Sequence, residues 1–286
     1  MRYAPYVATF GEYADPAQLA SLAADAEASG WDGFFVWDHV AMWWDPAVPV
    51  ADPWVVLAAV AAATSHIRIG ALVTPLARRR PWKVARETAS LDRFAGGRLV
   101  LGVGLGDSLH EFECFGEAAP LAKRAEMLDE GLEVLAGLWS GQPYSHRGLH
   151  YRVEEACFLP TPLQRPRIPV WVAVSWPNPA PVRRALRWDG AIVTTADPGP
   201  CNTAPEAFAS IRARAPGDRR FDLVLVTGRP DWDVERDAEE VATYAAVGVT
   251  WWLEDVDPWR FADYPAEPWP HERMRERILA GPPHFR

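Results

Sequence analysis

The stretch GFFVWDHVAMWWDP (residues 33–46) decides how the chain is read. Phe34, Phe35, Val36 and Trp37 form an apolar run without alternation, so the strand they predict is buried on both faces. That is the condition of a parallel sheet covered by helices on each side. Asp38 and His39 end the run abruptly, and Met42, Trp43 and Trp44 follow. A strand that ends in an acid and an imidazole leaves the core at a polar rim, and His is the side chain that most easily moves protons near neutral pH. An isolated Asp-His pair also caps helices or ties down loops, so the pair alone does not assign a function.

The same rhythm extends outward in both directions. Strands are predicted at 2–10, 32–37, 67–75, 98–104, 168–175, 189–195, 221–228 and 248–255. Helical patterns lie between them, at 15–30, 52–64, 81–97, 122–141, 179–187, 204–215, 235–246 and 271–280. Two of the helices are entered through Asp-Pro (15–16 and 52–53), an N-cap followed by the residue best suited to the first helical turn. Eight strands alternating with helices over 286 residues predict a single α/β domain of the (β/α)₈ TIM barrel type spanning 1–286. The other fold compatible with this pattern is an open doubly wound sheet. Residues 143–153 read as a hairpin, and the long connections at 105–121 and 143–167 suit functional loops. The Pro-rich stretch at 263–272 reads as surface wrapping.

In such a barrel the site lies at the C-terminal ends of the strands. That rule gathers Asp38 and His39, Thr74, the stretch GLGDSLHE (104–111), Ser175 and Trp176, and Thr194 and Thr195 at one rim. The glycines of LGVGLGD (101–107) do not have dinucleotide-fingerprint spacing; they suit a plain turn, or a flat ring held close to the backbone. His146 and His150 are four apart, but Gly148 between them and the hairpin pattern oppose a helical metal pair, and no metal site is expected. No GxSxG or HExxH occurs. ARRRP (77–81) is a basic cluster suited to solvent, a subunit contact, or phosphate or acidic groups.

The net charge of −9 disfavours a nucleic-acid partner. No apolar run approaches the ~20 residues of a membrane span, and the N-terminus lacks signal-peptide design. Cys114, Cys157 and Cys201 are few and widely spaced, as reduced thiols of a cytoplasmic protein are. Fifteen tryptophans suit walls around a flat ligand, although most tryptophans are core.

Taken in order, several segments resemble the luciferase-like monooxygenase superfamily, the bacterial luciferase-type barrels that use FMN or the deazaflavin coenzyme F-420. They are LAADAEASGWDGFFVWDH (22–39), DPWVVLAAVAAATSHIRIGALVTPLARRRP (52–81), ETASLDRFAGGRLVLGVGLGDSLHEFECFG (87–116), EMLDEGLEVLAGLWSG (126–141), HYRVEEACFLPTPLQRPRIPVWVAV (150–174) and WDGAIVT (188–194). The resemblance implies a barrel with an insertion around 140–167 and a flavin-type ring in its mouth. It places His39 beside the ring as the proton-handling residue, with Asp38 orienting or tuning it. It implies a non-prolyl cis peptide at Leu72–Val73, next to Thr74, behind the ring. Gly104, Asp107 and His110 match cofactor-lining positions, and Val174-Ser175 the region that meets the phosphate-bearing tail. The Ser175-Trp176-Pro177 sequence departs there from the Gly-Pro or Gly-Ser of many relatives. Trp43, Trp44 and Trp176 are the candidate substrate wall.

The expectation is hydride transfer between reduced F-420 and a small organic substrate. The rivals are an FMN-dependent monooxygenase and a non-catalytic flavin-binding barrel. A homodimer through the apolar helix 54–63, and a reductase supplying reduced cofactor, complete the expected partners.

Overall fold

A computed structural model describes residues 1–42, 44–45, 47–106, 109–117, 120–195, 203–217, 219–227, 234–261 and 268–283. The first half runs β1 (Arg2–Val7), α1 (Pro16–Ala28), β2 (Gly33–Val36), α2 (Pro53–Ala63), β3 (Arg68–Ala71), β4 (Thr74–Pro75), α3 (Pro81–Phe94), β5 (Leu101–Gly104), α4 (His110–Glu113) and α5 (Leu121–Trp139). An antiparallel hairpin of β6 (Tyr144–Arg147) and β7 (Arg152–Ala156) follows. The remainder is β8 (Val170–Trp176), α6 (Pro179–Ala185), β9 (Gly190–Thr195), α7 (Pro205–Arg212), β10 (Asp222–Thr227), α8 (Val234–Ala246), β11 (Trp251–Val256), α9 (Pro258–Phe261) and α10 (His271–Leu279).

The main sheet is ordered β3-β2-β1-β11-β10-β9-β8-β5-β4. Its two ends are halves of one stave. β3 pairs with β2 and β4 pairs with β5, and the cis peptide Leu72–Val73 stands between the halves. Val100 donates to the Ile69 carbonyl and Ile69 to that of Arg98, which closes the ring. The described staves therefore number eight, the closed parallel barrel expected from the alternation. The strand predicted over 67–75 is broken at its third quarter because the backbone bulges there.

Both faces of the staves are apolar because each face meets a different core. Phe35, Trp171 and Trp251 fill the barrel interior, with ring centroids 5.4–5.6 Å apart. Ala4, Val100, Ile192, Val224 and Leu253 pack with them. The alternate residues Phe34, Val36, Val172, Val174 and Trp252 face the helices. Both Asp-Pro entries cap as expected: Asp15 accepts from Ala17 N, and Asp52 from Trp54 N and Val55 N. Each such cap stabilises its helix by about 1 kcal/mol.

The insertion is anchored by a buried carboxylate. Asp92, on α3, accepts from Leu163 N, Gln164 N and Gln164 Nε2. His146 and His150 lie on the hairpin and beside it, where they meet Glu130 and Glu126 of α5. α2 presses Trp54, Val56, Leu57 and Val60 onto its own barrel and leaves Val55, Ala58 and Ala62 outward. Residues 263–267 of the expected surface wrap lie outside the described residues. Trp269 is buried rather than on the surface, packed edge-on against Phe10 and Tyr13. No described helix is long and apolar enough to cross a membrane.

Candidate active site

The last inward-facing positions of the staves surround the C-terminal mouth: Tyr6, Leu72, Gly104, Ser175, Thr194 and Val226 line a cavity of about 1040 Å³. A second cavity of about 240 Å³ adjoins it. It shares Tyr6, Leu72, Val73 and Gly106, and adds Trp37, Asp38, His39 and Glu111. A third, of about 410 Å³, carries on from His39 to Arg78 and Arg79. His39 thus stands between two clefts, with its ring 5.7 Å from that of Trp37.

The imidazole is held from behind. Glu111 Oε2 lies 3.1 Å from His39 Nδ1, and Glu111 Oε1 accepts from Val40 N at 2.7 Å. Arg78 Nη1 completes the arrangement at 3.1 Å from Oε1. Burial pushes the Glu111 carboxyl upward. The hydrogen bonds from His39 and Val40, with the Arg78 charge, outweigh it and hold the pKa down to about 2. An ionised carboxylate only accepts, so Nδ1 carries a proton, and in the neutral imidazole the lone pair falls on Nε2.

The expectation that Asp38 orients His39 is corrected by this geometry. Asp38 Oδ1 takes Arg79 Nη2 at 2.7 Å and Arg78 Nη2 at 3.4 Å, and the ring is met by Glu111. Two of the arginines of ARRRP are therefore internal counter-ions rather than a solvated or intersubunit patch. Arg78 links the two carboxylates, so Asp38 acts through the arginines and the loop they hold.

Of the other expected positions, Leu72, Val73, Gly104 and Ser175 do line the large cavity. The cis bond falls at Leu72–Val73, and Tyr6 Oη donates to the Leu72 carbonyl. Thr74 is fully buried, and its hydroxyl finds no partner in the structure. Val174 faces the helices, away from the mouth, because it is one residue out of phase with Ser175. His110 is exposed at the start of α4 rather than in the cleft. Trp44 packs on Phe10 and Trp259 instead of forming the wall, which Trp37 supplies. Trp176 precedes a cis proline and packs against the outer core. Trp43 and Asp107 lie outside the described residues.

Sequence reasoning missed Tyr6, Trp37, Arg78, Arg79, Glu111 and Asp255 as site residues. Asp255, one residue before the end of β11, is in register with Tyr6 and beside the Trp37 indole. Burial, then the neighbouring Asp257 carboxylate, raise its pKa well above the ordinary range. The period-2 alternation of β11, with Trp251 and Leu253 inward, was the available signal for Asp255.

The cavity suits a flat tricyclic ring. Its floor is apolar, and the missing Cβ of Gly104, which would sit 2.5 Å from Val73 Cγ2, lets the Leu72–Val73 bulge pack closely on β5 at the cavity's rear wall. Residues 4–265 match the family model described as luciferase-like monooxygenase. The chain belongs to the luciferase-like monooxygenase family. Within that family it is 32% identical to an F-420-dependent glucose-6-phosphate dehydrogenase of Nakamurella multipartita. That match runs over 243 residues and covers 82% of this chain and 70% of the relative. It is 36% identical over 163 residues to an F-420-dependent hydroxymycolic acid dehydrogenase of Mycobacterium tuberculosis, covering 56% of this chain and 45% of that one. Among solved structures, an F-420-dependent secondary alcohol dehydrogenase in complex with an F-420–acetone adduct superposes with a TM-score of 0.73. It is 18% identical, over 89% of this chain and 93% of that one, and establishes the shared fold.

Proposed function

We propose that this luciferase-like barrel is an F-420-dependent oxidoreductase that moves a hydride between the deazaflavin and a small organic alcohol or carbonyl compound. The observation that carries the reading is His39, backed by the ionised Glu111, at the edge of an apolar cavity whose rear wall is the Leu72–Val73 bulge. The similarity to F-420-dependent dehydrogenases supports the choice of cofactor.

Leu72, Val73 and Gly104 would hold one face of the cofactor ring, with Ser175 toward its tail. Bound F-420 supplies the two-electron hydride chemistry. His39 Nε2 takes the hydroxyl proton as an alcohol is oxidised and returns it when a carbonyl is reduced, so each direction balances one hydride with one proton. Glu111 keeps the proton on Nδ1 and stabilises the imidazolium once it forms. Asp38 fixes Arg78 and Arg79, and through them the strand-end loop that carries His39. Trp37 and Tyr6 shield the proton path from water. Asp107, His110, Val174, Trp43, Trp44 and Trp176 keep at most supporting roles at this rim.

A homodimer through the outward residues of α2, cytoplasmic residence, and a separate enzyme that renews the cofactor's redox state belong to the same reading. The test is an anaerobic assay with F-420 and a panel of small alcohols, following the deazaflavin's visible absorbance. Bleaching that depends on both the alcohol and His39 supports the reading; no bleaching of oxidised F-420 with any alcohol, together with no return of absorbance when reduced F-420 meets the corresponding carbonyl compounds, refutes it.

A further inference from the structure

The opposite end of the barrel holds a second cluster of chemistry that hydride transfer does not use. The N-terminal ends of the staves enclose a pocket of about 140 Å³ into which Arg2, Arg68 and Arg220 converge from three separate parts of the chain. Arg165 and Arg167 line it as well. Against these five guanidinium groups stand two carboxylates, and both are already engaged. Asp222 takes Arg2 at 2.8 Å, Arg220 at 3.4 Å and the Thr250 hydroxyl at 3.0 Å. Asp189 takes Val170 N at 2.9 Å and Arg167 at 3.1 Å. The pocket therefore keeps an excess of positive charge within a protein whose net charge is −9.

Two further donors are buried in the side chains that border the same space. Trp171 and Trp251 line the pocket, are essentially fully buried, and neither indole N–H has a hydrogen-bond partner in the structure. A buried N–H left without an acceptor is costly, and two beside a cationic pocket call for an acceptor that carries charge. Burial and mutual repulsion point the same way: burial, then the Arg220 charge, lower the pKa of Arg68, and Arg2 is lowered by burial with Arg220 and Arg68 contributing against the pull of Asp222.

We propose that the N-terminal mouth of the barrel binds a small tetrahedral oxyanion, a phosphate group, through Arg2, Arg68, Arg220 and the Trp171 and Trp251 indoles. Guanidinium groups match phosphate oxygens in pairs, which favours phosphate over a halide. The volume admits one such group and falls well short of the roughly 300–1,000 Å³ that encloses a whole drug-sized ligand. The site is distinct from the catalytic cleft. Trp171 and Ser175 lie on one stave four residues apart, about 13 Å along the strand, and the packed interior separates the two ends.

The experiment titrates the full chain with inorganic phosphate, at constant ionic strength set by chloride, and reads calorimetric binding and the thermal midpoint. A parallel arm uses methyl phosphate. The expected result is saturable binding with a rise in the midpoint. Binding of both probes assigns the site to phosphate monoesters, and binding of phosphate alone assigns it to the free ion. Arg220→Gln, at an exposed position where the change does not disturb the core, weakens the affinity by about tenfold or more. Trp171→Phe keeps an aromatic ring and removes the N–H donor. It leaves a small void in the barrel interior and lowers the thermal midpoint of the phosphate-free protein, so its affinity is read well below that midpoint, where it falls relative to the wild type. The proposal is overturned if the wild type shows no saturation by about 10 mM phosphate, an affinity too weak to matter. It is equally overturned if both variants bind phosphate as the wild type does, since binding would then lie elsewhere.

Discussion

Replacing Glu111 by Gln tests the electrostatics of the cleft with a change of one atom type. Glu111 is 1% exposed, so solvent screens its partners little. Its pKa falls from 4.5 to about 2 on folding. A shift of that size corresponds to about 3 kcal/mol, at about 1.4 kcal/mol per unit. The carboxylate's pKa is depressed, so its contribution is fully present above the unfolded value of 4.5 and is lost as pH falls through about 2. Urea unfolding of wild type and Glu111→Gln at several pH values between 7 and 2.5 reads this directly. The wild type should be the more stable at pH 7, and most of its advantage should vanish at the acid end. A difference between the two proteins that is the same at both ends would refute the assignment of Glu111 as the ionised partner of His39, Val40 and Arg78. Turnover should fall as well, because the amide no longer stabilises the imidazolium.

Other consequences are equally direct. His39→Ala should lower turnover with F-420 by about 10²–10⁴-fold while the fold persists, and steady-state kinetics checks it. Asp38→Ala leaves Arg78 and Arg79, at 6% and 19% side-chain exposure, without their shared carboxylate. Denaturation should show a loss of about 3–5 kcal/mol. Gly104→Ala places a methyl 2.5 Å from Val73 Cγ2, and cofactor titration should show weakened binding with little change in secondary structure by circular dichroism. Asp255 has a raised pKa, so its favourable contribution is complete below 3.8 and is lost as pH rises toward the folded value. Asp255→Asn should therefore gain stability over the wild type between pH 5 and 8 in melting curves.

The barrel was legible because its causes are local and repeated. Apolar runs bounded by Asp-Pro caps and terminal glycines state each strand and helix, and stave closure follows from the count. His39 was legible because a polar residue ending a doubly buried strand has few structural reasons to be there. Its true partner was not. Glu111 lies 72 positions away, and only the closing of β4 against β5 brings its helix to the end of β2. Asp38 was nearer in sequence and seemed the natural partner, but adjacent strand residues point to opposite sides. The arginines of ARRRP looked like surface because three consecutive charges usually are. Arg78 and Arg79 turn inward to the buried carboxylates of Asp38 and Glu111, where buried charges need a partner, while Arg80 stays exposed.

The most direct test of the central claim is a pair of equilibrium titrations of the protein, one with F-420 and one with FMN, followed by quenching of tryptophan fluorescence. Trp37 borders the cleft and provides the local reporter. The account predicts saturable quenching by F-420 at micromolar concentration or below, with FMN binding at least about tenfold more weakly. Tighter binding of FMN, or binding of neither, would contradict it.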